Sequence, residues 1–345
     1  MAPKIFLTGA TGFIGGDALY ALSQSHPEYE FTLLVRNEER GALVAAAYPN
    51  ARLVYGTLDD AEVIEKAAAE ADVVVHTADS ADNQPSARAI AKGLSAGHTA
   101  AKPGYWIHVC GTGLLTWYDR AHARYGQAPL ASQRYHDIED VSRITTLPHE
   151  AAHRPVDEIV LAANTLPGGG VRTLIVGPPT IYGTGRGPGN ARSVQVPKLI
   201  GRTLQDGAAP VLAPGLTEWD HVYIADLGRF FVLAVEAALD PARNGNPEIF
   251  GPRAYFFAES GAHRWSDVAT WIAEEAAKQG LLPEAKTKEF SDPAQLGIHS
   301  LGLNSKSVAA RARKYLGWEP SSDSPSLKDE MPSAVAIEAK RLGKA

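Results

Sequence analysis

Cysteine is almost missing from this chain. Cys110 stands alone among 345 residues, which excludes an internal disulfide and a cysteine-based metal cluster. Dense runs of Lys and Arg are missing too, and with a formal charge of −6 the chain is not built as a nucleic-acid platform. No apolar run approaches the ~18 residues needed to span a bilayer. No charged-then-apolar leader is seen, so a cytoplasmic protein without a membrane partner is expected. What is present is ordinary for a globular chain, at 45% hydrophobic and 21% charged residues. The length suffices for one large α/β unit, or one such unit with a smaller lobe.

The most informative stretch is Lys4–Gly15, where the apolar Ile5-Phe6-Leu7 runs into Gly9, Gly12 and Gly15 and then into a helical pattern. Glycines at the first two positions let backbone turn sharply and approach a diphosphate with no Cβ in the way. The helix starting near Phe13 aims its free N–H groups and positive dipole end at that diphosphate. Strand-like and helix-like segments then alternate, as βαβ units and a parallel sheet require. The expected strands are Lys4–Thr8, Phe31–Val35, Arg52–Tyr55, Val73–His76, Trp106–Cys110 and Val171–Val176. Helices are expected at Phe13–Gln24, Ser86–Lys102 and Pro155–Leu166.

Past Pro178 the alternation loosens. Residues 1–177 are expected to form a dinucleotide-binding domain and residues 178–345 mainly a substrate lobe, with 219–251 returning to the first domain. Trp265–Gln279 and Ser305–Leu316 read as amphipathic helices of the small lobe, and the tail from Pro320 as partly loose. The second strand ends Val35-Arg36-Asn37, with Arg36 where an NAD-binding fold carries an acid and Arg40 nearby. That pattern favours NADP over NAD. Asp59 follows Gly56-Thr57-Leu58, where an adenine contact is expected, or else it caps the helix Ala61–Ala71.

With these residues in place, the chain resembles the extended short-chain dehydrogenase/reductases of the epimerase/dehydratase superfamily. Thr8-Gly9-Ala10-Thr11-Gly12-Phe13-Ile14-Gly15 fits the family's glycine turn, and Val75-His76-Thr77-Ala78 the segment passing the nicotinamide ribose. Gly111-Thr112-Gly113 lies where the family carries a catalytic Ser or Thr. Pro178-Pro179-Thr180-Ile181-Tyr182-Gly183, Trp219–Leu227 and Leu316-Gly317-Trp318-Glu319-Pro320 resemble its later signatures. The resemblance implies a doubly wound parallel sheet (Rossmann) with a smaller C-terminal lobe. It implies cofactor contacts from Gly9, Thr11, Gly12, Phe13, Ile14, Gly15, Arg36, Asp59, Thr77 and Pro178.

The family's Tyr-x-x-x-Lys pair is missing, since no Tyr here is followed by Lys at that spacing. His153 and Asp157 occupy the corresponding positions. Three readings stay open. In the first, an NADP-dependent reductase or dehydrogenase of a small metabolite uses Thr112 to position a carbonyl and His153, tuned by Asp157, as the acid. Arg154 would then steady an oxyanion or carboxylate. The second is a non-redox, epimerase-like enzyme. The third is a non-catalytic NADP sensor, like the nitrogen-regulator branch. The expected partner is a small-molecule substrate, and a homodimer is left open.

His149-Glu150-Ala151-Ala152-His153 matches a zinc-protease spacing, but Pro155 disfavours helix at Arg154, and no metal is expected. Tyr182 is assigned to binding rather than catalysis, and His221 and Asp226 to packing or capping. Gly183–Gly189, with Arg186, reads as a flexible rim or a plain solvent loop. Trp117, Tyr118, Tyr125 and Tyr135 either line an aromatic pocket or pack the insertion before His153 onto the small lobe.

Overall fold

The computed structural model describes residues 2–344. Its first half runs β1 (Lys4–Thr8), α1 (Phe13–Ser25), β2 (Glu30–Val35), α2 (Glu38–Ala47), β3 (Arg52–Tyr55), α3 (Ala61–Glu70), β4 (Val73–His76), α4 (Gln84–Gly97) and β5 (Gly104–Val109). An insertion with α5 (Trp117–Ala121), β6 (Arg134–His136) and α6 (Val141–Thr145) leads to α7 (Arg154–Ala163) and β7 (Val171–Gly177). The second half holds β8 (Thr180–Tyr182), α8 (Gln195–Asp206), β9 (Ala209–Leu212), β10 (Glu218–Tyr223), α9 (Ile224–Leu239), β11 (Tyr255–Phe257) and β12 (Gly261–Arg264). It ends with α10 (Trp265–Lys278), β13 (Thr287–Phe290), α11 (Pro293–Leu296), β14 (Lys306–Val308) and α12 (Met331–Arg341).

Seven strands form a parallel sheet in the order β11-β7-β5-β4-β1-β2-β3. Central strands such as Val73-Val74-Val75-His76 are buried throughout, as strands covered on both faces must be. From β1 the chain winds outward to β2 and β3 on one side and to β4 and beyond on the other. The switch point lies at the C-terminal ends of β1 and β4, where Thr8 pairs with His76 and where open α/β sheets bind ligands. Helices α1 and α9 pack together, as do α3, α4 and α7. A second apolar cluster gathers Val196, Leu199, Trp265, Ile272, Met331 and Val335 from α8, α10 and α12.

Two expectations beyond Pro178 differ from the structure. Ser305–Leu316 is not one helix: Lys306–Val308 pairs with β6, and a wide helical turn covers only Ala312–Leu316. The buried Lys306 ammonium pairs with Asp220, whose carboxylate also accepts from Ser307, and Ala309, Ala312, Leu316 and Trp318 enter the main core rather than the small lobe. The tail is not loose either. In α12 the buried Glu338 accepts from Arg192 at 2.9 and 3.0 Å and from Arg341 at 2.6 Å, which fixes the helix on α8 and α10.

Candidate functional site

The glycine turn after β1 is built for close approach. Gly9 has φ +85°, and a Cβ there would lie 2.5 Å from Thr77 Oγ1. A Cβ at Gly15 would stand 2.3 Å from Thr77 Oγ1 and 2.4 Å from the Gly9 carbonyl oxygen. Thr77 is fixed in turn, donating through Oγ1 to the Thr8 carbonyl at 2.6 Å. At Gly12 a Cβ would meet only Gly9 O, at 3.1 Å, and would otherwise project into open space. The helix that follows has no side-chain cap and no acid in its first turn. Its first N–H groups and positive end therefore stay available to an anion.

These residues border a cavity of about 470 Å³. Gly9, Thr11, Gly12, Phe13, Ile14, Gly15, Arg36 and Thr77 line it, with Arg40, which donates to Thr11 Oγ1 at 3.1 Å. Asp59 and Pro178 do not: their neighbours Leu58 and Pro179 take the wall positions. Asp59 is exposed, and Asp60 is the residue at the α3 N-cap, accepting from Thr57 N and Oγ1. Pro178 is buried, its carbonyl accepting from Thr112 N.

Sequence reasoning missed Asp79, Asn190, Ser193, Val194 and Gln195 on the far wall. The signal for the last four was the glycine-rich segment before them, which is neither a flexible rim nor a plain solvent loop. Arg186 donates to buried Asp17 of α1 from its backbone N, Nε and Nη2, at 3.1, 2.9 and 2.6 Å. A Cβ on Gly187 would fall 2.5 Å from Gly16 Cα, and the Asn190 N–H donates to the Thr11 carbonyl at 2.9 Å. The segment is fastened to α1 and to the glycine turn before it.

His153 sits at the N-cap of α7 with φ +69°, a left-handed conformation costly for a side chain of this size. Its Nδ1 lies 2.8 Å from Asp82 Oδ1, so its carboxylate partner is Asp82 and not Asp157. The imidazole holds the Asp82 carboxyl below the ordinary range. The other edge of the ring presses on the turn after β5, where a Cβ on Gly113 would come within 2.8 Å of Nε2. Thr112 is buried in that turn, its carbonyl accepting from Ser305 Oγ at 2.7 Å, and its own Oγ1 has no partner among the described residues.

Asp157 lies one turn into α7, completely buried. Its Oδ2 accepts from Tyr255 Oη at 3.0 Å and from Cys110 Sγ at 3.4 Å, and burial pushes its carboxyl up to about 6. Arg154 turns away from His153, donating to the Thr145 carbonyl and pairing with Glu158. His149 also meets Glu158, at 2.8 Å, and residues 149–153 form turns and a bend, so the two histidines of the zinc-like spacing share no helical face.

Tyr182 Oη donates to the Pro325 carbonyl at 2.8 Å and its ring belongs to the second core, while Ile181 rather than Tyr182 lines the cavity. Asp226 accepts from Ser321 N at 2.9 Å, and His221 Nδ1 lies 3.2 Å from His263 Nδ1. In the insertion, Trp117 Nε1 donates to Tyr135 Oη at 3.3 Å and Arg143 covers the Tyr135 ring, which is packing within the insertion.

A doubly wound sheet with a glycine cradle at its switch point defines a class of dinucleotide-binding α/β proteins. This chain belongs to the NAD dependent epimerase/dehydratase family, which it matches over residues 5–249. It is 34% identical to the oxidase ucsJ of an Acremonium species over 352 residues, covering 99% of each chain. Among solved structures it is similar to DesIV, a dTDP-glucose 4,6-dehydratase from Streptomyces venezuelae with NAD and TYD bound. That match has a TM-score of 0.67, 17% identity, and covers 99% of this chain and 98% of that one. The UDP-glucose 4-epimerase of Thermotoga maritima with UDP-glucose follows at TM-score 0.65 and 16% identity, covering 98% of this chain and 99% of that one.

Proposed function

We propose that this chain is an NADP-dependent oxidoreductase acting on a carbonyl or alcohol of a small metabolite. The observation that carries the reading is the Asp82–His153 pair, held beside the Gly111–Gly113 turn at the end of β5. The pair and the Gly111–Gly113 turn lie outside the cavity lining, and the turn Asp79–Asp82 joins them to it: Asp79 lines the wall and its carbonyl accepts from Asp82 N at 3.2 Å. The cradle fits a dinucleotide, because Gly12 lines the cavity and only Gly9 O lies within 4 Å of where its Cβ would be. A nicotinamide held there supplies the hydride.

The chain's own residues supply position and proton. Asp82 holds Nδ1 and stabilises the charged imidazole, so that Nε2 exchanges a proton with the substrate oxygen. Arg36 and Arg40 line the cavity just past β2, with no acid among the cavity's β2 residues, and positive charge there supports NADP. A second reading, a redox-neutral epimerisation, draws support from the fastened 183–190 segment, which would retain a dinucleotide through many turnovers.

The test is fluorescence titration with NADPH and NADH, followed by NADPH consumption against a panel of carbonyls. NADPH is expected to bind more tightly, and Arg36→Ala to remove roughly ten- to a hundredfold of that preference. His153→Gln is expected to cut turnover by about 100-fold or more while leaving NADPH binding in place. Binding without consumption, for any carbonyl, turns the reading to the redox-neutral enzyme or a sensor. No binding of either nucleotide overturns it.

A further inference from the structure

Asp157 is a buried acid that the proposed proton transfer does not use directly. Three separate elements converge on its carboxyl: α7, which carries it; β5, which ends at Val109 just before Cys110; and β11, which begins at Tyr255. Cys110 immediately precedes the Gly111–Gly113 turn against which the His153 ring rests. One turn back along α7, the Asp157 and Val156 N–H groups donate to the His153 carbonyl at 3.2 and 3.1 Å. His153 keeps a left-handed backbone conformation that persists only where surrounding structure over-determines it.

We propose that Asp157, with Tyr255 and Cys110, is the positioning residue for His153, pinning the first turn of α7 to the sheet so that the imidazole stays against the Gly111–Gly113 turn. The proposal rests on the reading of His153 as the proton-transferring group. Asp157 is separated from His153 by one helical turn, and its Oδ1 has no partner among the described residues. A change in its ionisation therefore acts on the backbone and charge that set the imidazole.

The groups that face Asp157 are few. Cys110 and Tyr255 donate to it, and their thiol and phenol are pushed well up by burial and by the carboxylate. Arg154 and His153 supply the positive charge nearby. His108, on the same strand as Cys110's neighbour Val109, is held neutral by burial. Burial holds the Asp157 carboxyl up at about 6, while the hydrogen bonds from Cys110 and Tyr255 favour its charged form.

The experiment uses the full chain labelled with ¹⁵N-histidine, and follows the His153 ring nitrogens by long-range ¹H–¹⁵N NMR across pH 4.5–8.5. His153→Gln identifies the signal. In the wild type the His153 nitrogen shifts are expected to carry an inflection near the Asp157 value of about 6. Tyr255→Phe, which removes one donor to the carboxylate, is expected to move that inflection upward, and Asp157→Asn to abolish it. Each variant's unfolding midpoint is read in parallel. A role confined to stability would change that midpoint and leave the His153 curve unchanged. Should Asp157→Asn fail to fold, Tyr255→Phe alone decides, because it keeps the ring and loses one oxygen. Identical His153 curves in wild type and Tyr255→Phe overturn the proposal. Loss of turnover in His153→Gln is scored separately, so a failed coupling and a failed assignment of His153 are told apart.

Discussion

Replacing Arg186 by Met tests whether the 183–190 segment is held by charge. Asp17 is fully buried in α1, and the guanidinium supplies two of its three donors, Nε at 2.9 Å and Nη2 at 2.6 Å, the third being the Arg186 N–H at 3.1 Å. Helix α9 closes over the pair, since a Cβ on Gly228 would lie 2.6 Å from Asp17 Oδ1 and 2.8 Å from Arg186 Nη2. Arg186→Met therefore strands a buried carboxylate with one donor, and breaking a buried pair in this way costs about 3–5 kcal/mol. Because 36% of the Arg186 side chain is exposed, water reaches the site and the lower end, about 3 kcal/mol, is expected. Asp17→Asn keeps an acceptor and leaves the partly exposed guanidinium to solvent, so it should cost less, about 1–2 kcal/mol. Adding Asp17→Leu to Arg186→Met should recover part of the loss, because neither charge is then left unpaired. Urea unfolding followed by the fluorescence of the six tryptophans measures all of these. An Asp17→Asn variant that is less stable than Arg186→Met, or an Arg186→Met loss under about 1 kcal/mol, would refute the reasoning.

Gly15→Ala should weaken NADPH binding by about 100-fold, roughly 3 kcal/mol, because its Cβ meets the Gly9 carbonyl, which cannot retreat without opening the cradle; titration of the folded variant checks this. Gly113→Ala should leave stability nearly unchanged, since the Cβ meets the movable end of His153, yet drive the ring off Asp82 and cut turnover about tenfold in a steady-state assay. Burial raises the Asp157 carboxyl from 3.8 to about 6, so the folded chain holds that proton more tightly than the unfolded chain does. The stability it contributes is fully present below pH 3.8 and is lost as pH rises through about 6, a change of about 3 kcal/mol. Urea midpoints of wild type and Asp157→Asn should therefore converge in acid and separate in favour of the variant above pH 6, and a constant difference would contradict this.

The cradle was legible because its constraints are local: strand, turn and helix start within Lys4–Gly15, and each glycine answers to atoms a few residues away or to the neighbouring strand. Central strands were legible for a similar reason, since continuous runs such as Val73–Val75 have one stable place. The site's pairings were not. His153 finds Asp82 across 71 positions, Asp157 finds Tyr255 across 98, and Arg186 finds Asp17 across 169. Spacing along one helix pointed to Asp157 as the partner of His153. The left-handed turn at His153 breaks that helical geometry before the two side chains can share a face. Likewise the Ser305–Leu316 pattern fits a helix until Asp220 and β6 claim Lys306 and Ser307, and no periodicity carries that information.

The outermost strand beside β7 is β11, with Tyr255 in register with Ile175. During synthesis, a ribosome that has released residues 1–177 has made six strands of the sheet and left β7 as a bare edge, open to any passing strand. Asp157 at that moment has only one of its two donors, Cys110, since the Tyr255 hydroxyl has yet to emerge. The nascent protein thus passes through a stage in which an apolar sheet edge and a buried acid await the same short strand. Chaperone capture during translation should concentrate there and fall once Phe257 has cleared the exit tunnel.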